Sequence, residues 1–378
     1  MAWSKNTLLL VDKPPIPSLI KWLAILILSI IVPIYFLYIT DNLNNKNVDV
    51  IKLIPATLPF IIVTLAMTIT FFIYIRDYRF YHYLKEEKEY HDWQWAEWGR
   101  RSVSILDSAL LLPEKITLNY ILQHSKHHDS CFNLTHDIDY LPKDNPPFYY
   151  LLRSVKETIR LLPGRLPINL IYLSDNAPKD SDILPILHAL FESKKIKHYQ
   201  PEKTLSFDKI ESLIKQNKEC VDILIVEQKE EKNIQSELMA IFVITPDDIA
   251  KKYQLKKKSD LERPMPLDAN ADIQASVRLF NEIQTDAQQA VQLISSGNIR
   301  SEITSAIYQS ESNFPFIHPE KTIDLEFYSG PTGKYAPWFV AALSSLYANQ
   351  QNKPVLMVST EGNRTFFSTI TPVLHNEI

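Results

Sequence analysis

Two stretches of the chain carry no charged residue and are strongly apolar throughout: Trp22 to Thr40 and Leu53 to Ile75, of 19 and 23 residues. A helix rises about 1.5 Å per residue, so each is long enough to cross a hydrocarbon layer about 30 Å thick. Backbone in lipid must satisfy its own polar groups, which predicts two helices joined by the short polar loop Asp41 to Lys52. Pro33, Pro55 and Pro59 fall inside these runs, where membrane helices tolerate them. Lys5, Lys13 and Lys21 precede the first run and Arg76, Arg79 and Lys85 follow the second, while the loop balances two lysines with two aspartates. Positive flanks favour the cytoplasmic side, so both termini are expected there, in a bacterial inner membrane. No small-residue cleavage site follows the first run, so a retained hairpin is expected rather than a signal peptide. No ionisable residue lies within either run, which argues against an ion or proton pathway.

The pattern changes at Arg76. Residues 76–101 form a charged, aromatic connector that includes Trp93, Trp95 and Trp98. Aromatic residues dominate binding hot spots, which makes these three candidate partner-binding residues; packing of the connector onto the soluble part would use them equally well. Beyond it, apolar runs alternate with amphipathic ones. Val103 to Leu112 reads as a strand or a buried helix, Phe148 to Leu162 as a helix ended by Pro163-Gly164, and Leu166 to Leu173 as a buried strand. Helices follow at Asp182 to Ser193 and Phe207 to Lys218, and strands at Val221 to Glu227 and Leu238 to Ile244. Past a polar stretch, Lys251 to Pro266, the pattern gives a long helix over Asn270 to Ser295 and a strand over Thr322 to Tyr328. A helix over Ala336 to Asn349 and a strand over Pro354 to Ser359 close the series.

This alternation predicts an α/β fold, with mainly parallel or mixed sheets covered by helices. An internal echo suggests two related α/β units packed as a pseudo-dimer: Pro147-Phe148-Tyr149 with Ser154 resembles Pro337-Trp338-Phe339 with Ser344, and each helix leads to a proline-led strand. The expected organisation is an N-terminal segment (1–21), a transmembrane hairpin (22–75), the connector (76–101), a first α/β unit (102–260) and a second (261–378).

Composition narrows the chemistry. A formal net charge of −4 excludes a broad basic surface for nucleic acid. Two cysteines, Cys131 and Cys220, suit a reducing compartment. The densest set of chemical side chains is His124, His127, His128, Asp129, Cys131, His136, Asp137 and Asp139. His124 and His128 would share a helix face as zinc ligands do, but HEXXH is absent and the stretch is polar and loop-like, so no metal site is expected. Ser329-Gly-Pro-Thr-Gly-Lys-Tyr lies between a strand and a helix, yet its glycines are too close for a Walker loop and Tyr335 follows Lys334. It is read as a turn. Glu361-Gly-Asn-Arg is read as a hairpin turn or a recognition loop. No catalytic residue and no cofactor is expected.

The hairpin layout, Trp93-Gln-Trp-Ala-Glu-Trp-Gly-Arg-Arg and Ser329-Gly-Pro-Thr-Gly-Lys-Tyr-Ala-Pro-Trp resemble the lipase-adaptor family associated with bacterial type VI secretion. That resemblance implies a membrane-anchored cytoplasmic adaptor without enzymatic activity, binding a secreted lipase effector or a secretion-spike protein. The two similar halves are also similar to thiolase-like folds. Neither Cys131 nor Cys220 stands in the setting of a condensing nucleophile with downstream histidines, so condensing activity is not expected. The rival expectations are a membrane-tethered enzyme, using the histidine-rich stretch for a metal or Ser329 to Lys334 for a nucleotide, and a toxin-immunity membrane protein.

Overall fold

A computed structural model describes residues 11–43, 50–124, 128–191, 194, 196–215, 219–232, 234–267, 271–297, 299, 301–309 and 314–373. The chain divides into two compact units, one ending at Gln94 and the other running from Trp95. The first holds α1 (Leu19–Leu43) and most of α2 (Val50–Gly99). Both contain segments long and apolar enough to cross a membrane, Leu19–Ile39 in α1 and the start of Thr57–Gly99 in α2, with none of their most apolar windows buried in protein. The connector is therefore helical: α2 continues without a break through Arg76 to Gly99.

The second unit is α/β. Its first half comprises β1 (Ser102–Leu111), α3 (Leu118–His124), α4 (Pro147–Ser154), α5 (Lys156–Leu161), β2 (Ile168–Leu173), α6 (Asp180–Leu190), β3 (Ile196–Glu202), α7 (Lys209–Lys215), β4 (Val221–Gln228) and β5 (Leu238–Pro246). After α8 (Asp247–Lys252), the second half comprises β6 (Ser259–Glu262), β7 (Met265–Leu267), α9 (Ile273–Ile283), β8 (Gln292–Ser296), α10 (Ser301–Gln309), β9 (Thr322–Asp324), α11 (Leu325–Ser329), α12 (Ala336–Gln351), β10 (Val355–Glu361) and β11 (Arg364–Pro372).

All eleven strands join one mixed sheet, in the order β3-β2-β4-β5-β1-β6-β11-β10-β8-β9, with β7 on β11. Numbered within each half with β7 left out, that order is 3-2-4-5-1 followed by its mirror image. The halves meet where β1 and β6 pair antiparallel, Ser102 opposite Glu262 through Ile105 opposite Ser259. Each half keeps its inner strands parallel and sets its fifth antiparallel. The two related α/β units expected from the sequence are thus present. β6 spans the expected division between residues 260 and 261, and by pairing it is the first strand of the second half.

Helix α12 is apolar or small-residued on every side, which buries it between the two halves of the sheet together with α7. Its Ser345 hydroxyl hydrogen-bonds Ser108 of β1 (3.1 Å) and Ser259 of β6 (2.8 Å), so these three seam hydroxyls satisfy one another. A second apolar cluster packs α4, α5 and α6 on the outer face of the first half, and a third packs α9 and α10 on the second.

Several element expectations are corrected. The helix expected over Asn270 to Ser295 ends at Ile283, and Gln292–Ser296 is a buried strand. Gln284 stops the helix by bonding elsewhere: its side chain accepts from the Thr369 N–H (3.0 Å) and donates to the Arg263 carbonyl (2.6 Å). The strand expected over Thr322 to Tyr328 turns helical after Asp324, whose carboxylate caps α11 through the Glu326 N–H. Phe148 to Leu162 is two helices, broken at Val155. The internal echo pairs elements that are not equivalent: the helix at Pro147 leads to the second strand of its half, whereas the helix at Pro337 leads to the fourth.

Candidate functional site

In sheets with parallel strands, ligands gather beyond the carboxyl ends of the strands. Here groups from both halves converge on one loop, Ser329 to Tyr335, at the entrance to α12. Gln228, at the end of β4, accepts from the Gly333 N–H (2.8 Å) and donates to the Ser236 carbonyl (2.8 Å). Asp175, after β2, pairs with the Lys334 ammonium at 2.6 Å. From the second half, Ser296 at the end of β8 hydrogen-bonds the Thr332 hydroxyl (2.6 Å), which donates to Glu326 (2.6 Å). Gly330 has φ +75°, and a Cβ there would lie 2.0 Å from the Leu134 carbonyl oxygen, so only glycine fits against the neighbouring segment. The loop is a turn into a helix, as its sequence indicates. No serine or threonine follows Lys334 to hold a nucleotide-bound magnesium; the Tyr335 hydroxyl there donates to the Lys203 carbonyl.

Residues 128–138 lie against the same loop. The Cys131 N–H donates to the Phe327 carbonyl (2.9 Å), and the Ser236 N–H to that of Pro331 (2.9 Å). Here the histidine-rich stretch forms a specific array. Cys131 Sγ is 3.6 Å from His128 Nε2, and His128 Nδ1 is 3.1 Å from the Tyr120 hydroxyl. The imidazole stacks on Tyr328, centroids 5.1 Å apart. When Nδ1 donates to Tyr120, Nε2 is free to accept the thiol proton, which is the arrangement of a nucleophile, a base and an orienting group. Burial raises the Cys131 thiol above its ordinary range, and the charges of Glu114 and Asp129 raise it further. Cys131 is only 6 % exposed. Glu114 and Lys115 both hold left-handed backbone (φ 56° and 58°), and Glu114 faces His136 Nδ1 at 3.4 Å. Such strain is retained where the surrounding structure demands it.

Among the described residues no three His, Cys, Asp or Glu come together as a metal site. His127 and the side chain of His124 lie outside the described residues. The third left-handed residue in this stretch, Asn133 (φ 64°), turns the chain beyond Cys131.

Three carboxyls are shifted by burial, Glu227 buried and Glu237 and Asp324 half-buried, none of them distinguishable in the sequence. Burial raises Glu227, which accepts from the Tyr172 hydroxyl (3.2 Å), and raises Glu237, which accepts from the Ile138 N–H (2.8 Å). Burial also lifts Asp324 to about 6, against the pull of the Glu326 N–H. At the β10–β11 turn, Glu361 accepts from the Ser206 hydroxyl (2.7 Å) and the Phe207 N–H (3.3 Å), ahead of α7. Glu361-Gly-Asn-Arg is thus a hairpin turn that ties the halves together.

The three tryptophans of the connector separate. Trp95 and Trp98 pack against the third cluster, beside Phe280 and Ile283, while Trp93 is 59 % exposed.

No protein-family model and no curated protein matches the chain. Solved structures do. A type II polyketide ketosynthase in complex with its acyl-carrier protein is 10% identical, with a TM-score of 0.48, over 72% of this chain and 100% of that one. The HMG-CoA synthase PksG from Bacillus subtilis is 9% identical, with a TM-score of 0.42, over 72% and 80%. 3-Oxoacyl-[acyl-carrier-protein] synthase III from Aquifex aeolicus is 12% identical, with a TM-score of 0.42, over 71% and 99%. The likeness is one of fold, and the activities named belong to those proteins. It nevertheless corrects one expectation. The similar structures are synthases, so an absence of enzymatic activity does not follow from this architecture. None of the three is a secretion adaptor.

Proposed function

We propose that the chain is a membrane-anchored protein whose exposed connector helix engages a protein partner. One observation carries this reading. Beyond its apolar run, α2 presents Phe80, Tyr83, Tyr90 and Trp93, each more than half exposed, at spacings of three and seven residues. That spacing places them along one side of a helix, where an exposed aromatic row provides anchors for a partner helix or groove. Tyr90 and Trp93 stack with centroids 6.0 Å apart and Gln94 bonds the Tyr90 hydroxyl, so part of the row is already ordered. In this reading the helix and the α/β unit lie on the cytoplasmic side, which the positive flanks of the apolar runs favour. A secreted lipase or a secretion-spike component is the specific partner that the sequence resemblance implies.

The test uses full-length protein in its native membrane, with a photoreactive residue at position 90 or 93 and mass spectrometry of what is captured. One protein recovered from both positions, and lost on Tyr83→Ala in the same background, supports the reading. Capture of lipid or of copies of the chain alone sinks it.

A second reading rests on the Cys131 array: a membrane-tethered enzyme that transfers an acyl group through a thioester. His128 Nε2 would take the thiol proton as sulfur attacks a carbonyl carbon, then return it to the departing group. A mass increment on Cys131 after incubation with an acyl thioester, absent in His128→Ala, is its signature.

A further inference from the structure

A cleft of about 380 Å³ opens on the first half of the α/β unit, lined by α5 and its following turn, the turn after α8, and Leu106 of β1. That volume is within the range of small-molecule sites, roughly 300–1,000 Å³. Leu106, Leu161, Leu162, Pro163 and Leu255 give it apolar walls. Leu161 is 78 % exposed, a large apolar side chain left in water at the mouth of an apolar cleft. The turn that carries Leu255 is held by a left-handed Gln254 (φ 50°), a conformation that costs free energy in a residue with a side chain. Leu255 is fixed there by its N–H bond to the Ala250 carbonyl (2.9 Å).

The charges at the cleft are unevenly matched. Lys258 donates to Asp107, whose carboxylate also accepts from Thr158 and from the Ser108 N–H (2.9 Å). Glu157 is engaged by Arg160 at 3.2 Å. Lys256 makes no ion pair among the described residues, and it sits at the rim, exposed. The lining therefore offers apolar walls and one uncommitted cation. We infer that this cleft binds a small amphipathic anion, an alkyl carboxylate of medium chain length, with its chain along the leucines and its carboxylate against Lys256. An ammonium head on the same chain would meet the unmatched charge of Lys256 and be repelled.

The test is photolabelling of the full chain in phosphatidylcholine nanodiscs with a diazirine derivative of octanoate, followed by peptide mapping. Labelling within residues 157–163 or 253–258, competed by octanoate and not by octylamine, is expected. Leu161→Asp changes an exposed residue and leaves the fold intact, which circular dichroism checks, yet should cut labelling at least tenfold. Lys256→Glu should reverse the preference between the two competitors. Labelling confined to α1 and α2, equal competition by octylamine, or indifference to Leu161→Asp would overturn the assignment.

Discussion

The Arg263 guanidinium lies 4.2 Å from the centre of the Trp98 ring. Arg263 is 1 % exposed and pairs with Glu211 on α7, while its Nε and one terminal nitrogen find no hydrogen-bond partner among the described residues. The ring face of Trp98 supplies what those donors lack, since an aromatic face attracts a desolvated cation. The last turn of α2 is therefore clamped to α7 through a buried charge. Arg263→Ala should destabilise the α/β unit by about 1–3 kcal/mol, because the buried contact with Trp98 and the pair with Glu211 are both lost while Glu211 keeps only Lys215, at 2.7 Å. The double variant Arg263→Met with Glu211→Leu should recover most of that loss, as measured by denaturant unfolding of the nanodisc-held chain.

Asp324 gives the stability a pH dependence of known sign. Burial lifts its folded pKa to about 6, above the usual 3.8. The folded state thus holds the proton where the unfolded state releases it, so this contribution is present below pH 4 and is lost as pH rises to 6. Asp324→Asn keeps the cap on Glu326 and should flatten that interval by about 2–3 kcal/mol, 1.36 for each unit. Unfolding midpoints at pH 4 and pH 7 provide the comparison; an unchanged difference between them refutes the assignment.

Gly330 and Gly333 stand in one loop but should respond differently to alanine. At Gly330 the added carbon meets the Leu134 carbonyl at 2.0 Å, with left-handed φ besides; at Gly333 it meets side-chain atoms alone, the tip of Gln235 at 2.2 Å and the Gln228 amide oxygen at 2.8 Å, which can shift more readily than backbone. Gly330→Ala should cost about 2–4 kcal/mol and Gly333→Ala less than half of that. Thermal unfolding of the two variants ranks them.

Cys131 should alkylate slowly, with a midpoint above that of a free thiol, since burial first and then Glu114 and Asp129 all raise it. Glu114→Gln should lower the midpoint by removing one of these charges. Iodoacetamide rates across pH 7–10 read both effects, and a thiol that labels with an ordinary midpoint contradicts the burial described.

The sequence was most readable where one physical rule acts alone. The apolar runs of α1 and α2 need only length, and Val221–Gln228 and Leu238–Pro246 are strands buried on both faces. It was least readable at the seam. β6 reads Ser-Asp-Leu-Glu, polar in sequence, and two of its polar side chains find partners in residues far along the chain, Ser259 in Ser345 and Asp260 in Ser104. β8 is hidden in the sequence because Val291 to Ser295 continues the apolar rhythm of α9, and what separates them is the non-helical Gln284, with its long-range bonds, and the 3-10 turn Thr285–Gln289. The Cys131 array draws on Tyr120, eight residues before His128 in α3, and on Tyr328 from the far half of the chain, so residue spacing within the histidine-rich stretch alone gives no sign of it.

Pairing β1 with β6 also determines what cannot be done to this protein. Among the described residues, the mirror-image strand order leaves β3 and β9 at the outer margins of the sheet, besides the short β7 on β11. Separating the halves would lay bare two further strand edges at the centre, along with the apolar flanks of α12, and unpaired strand edges drive aggregation. The halves should therefore melt together in a single transition, and neither should persist as a soluble fragment.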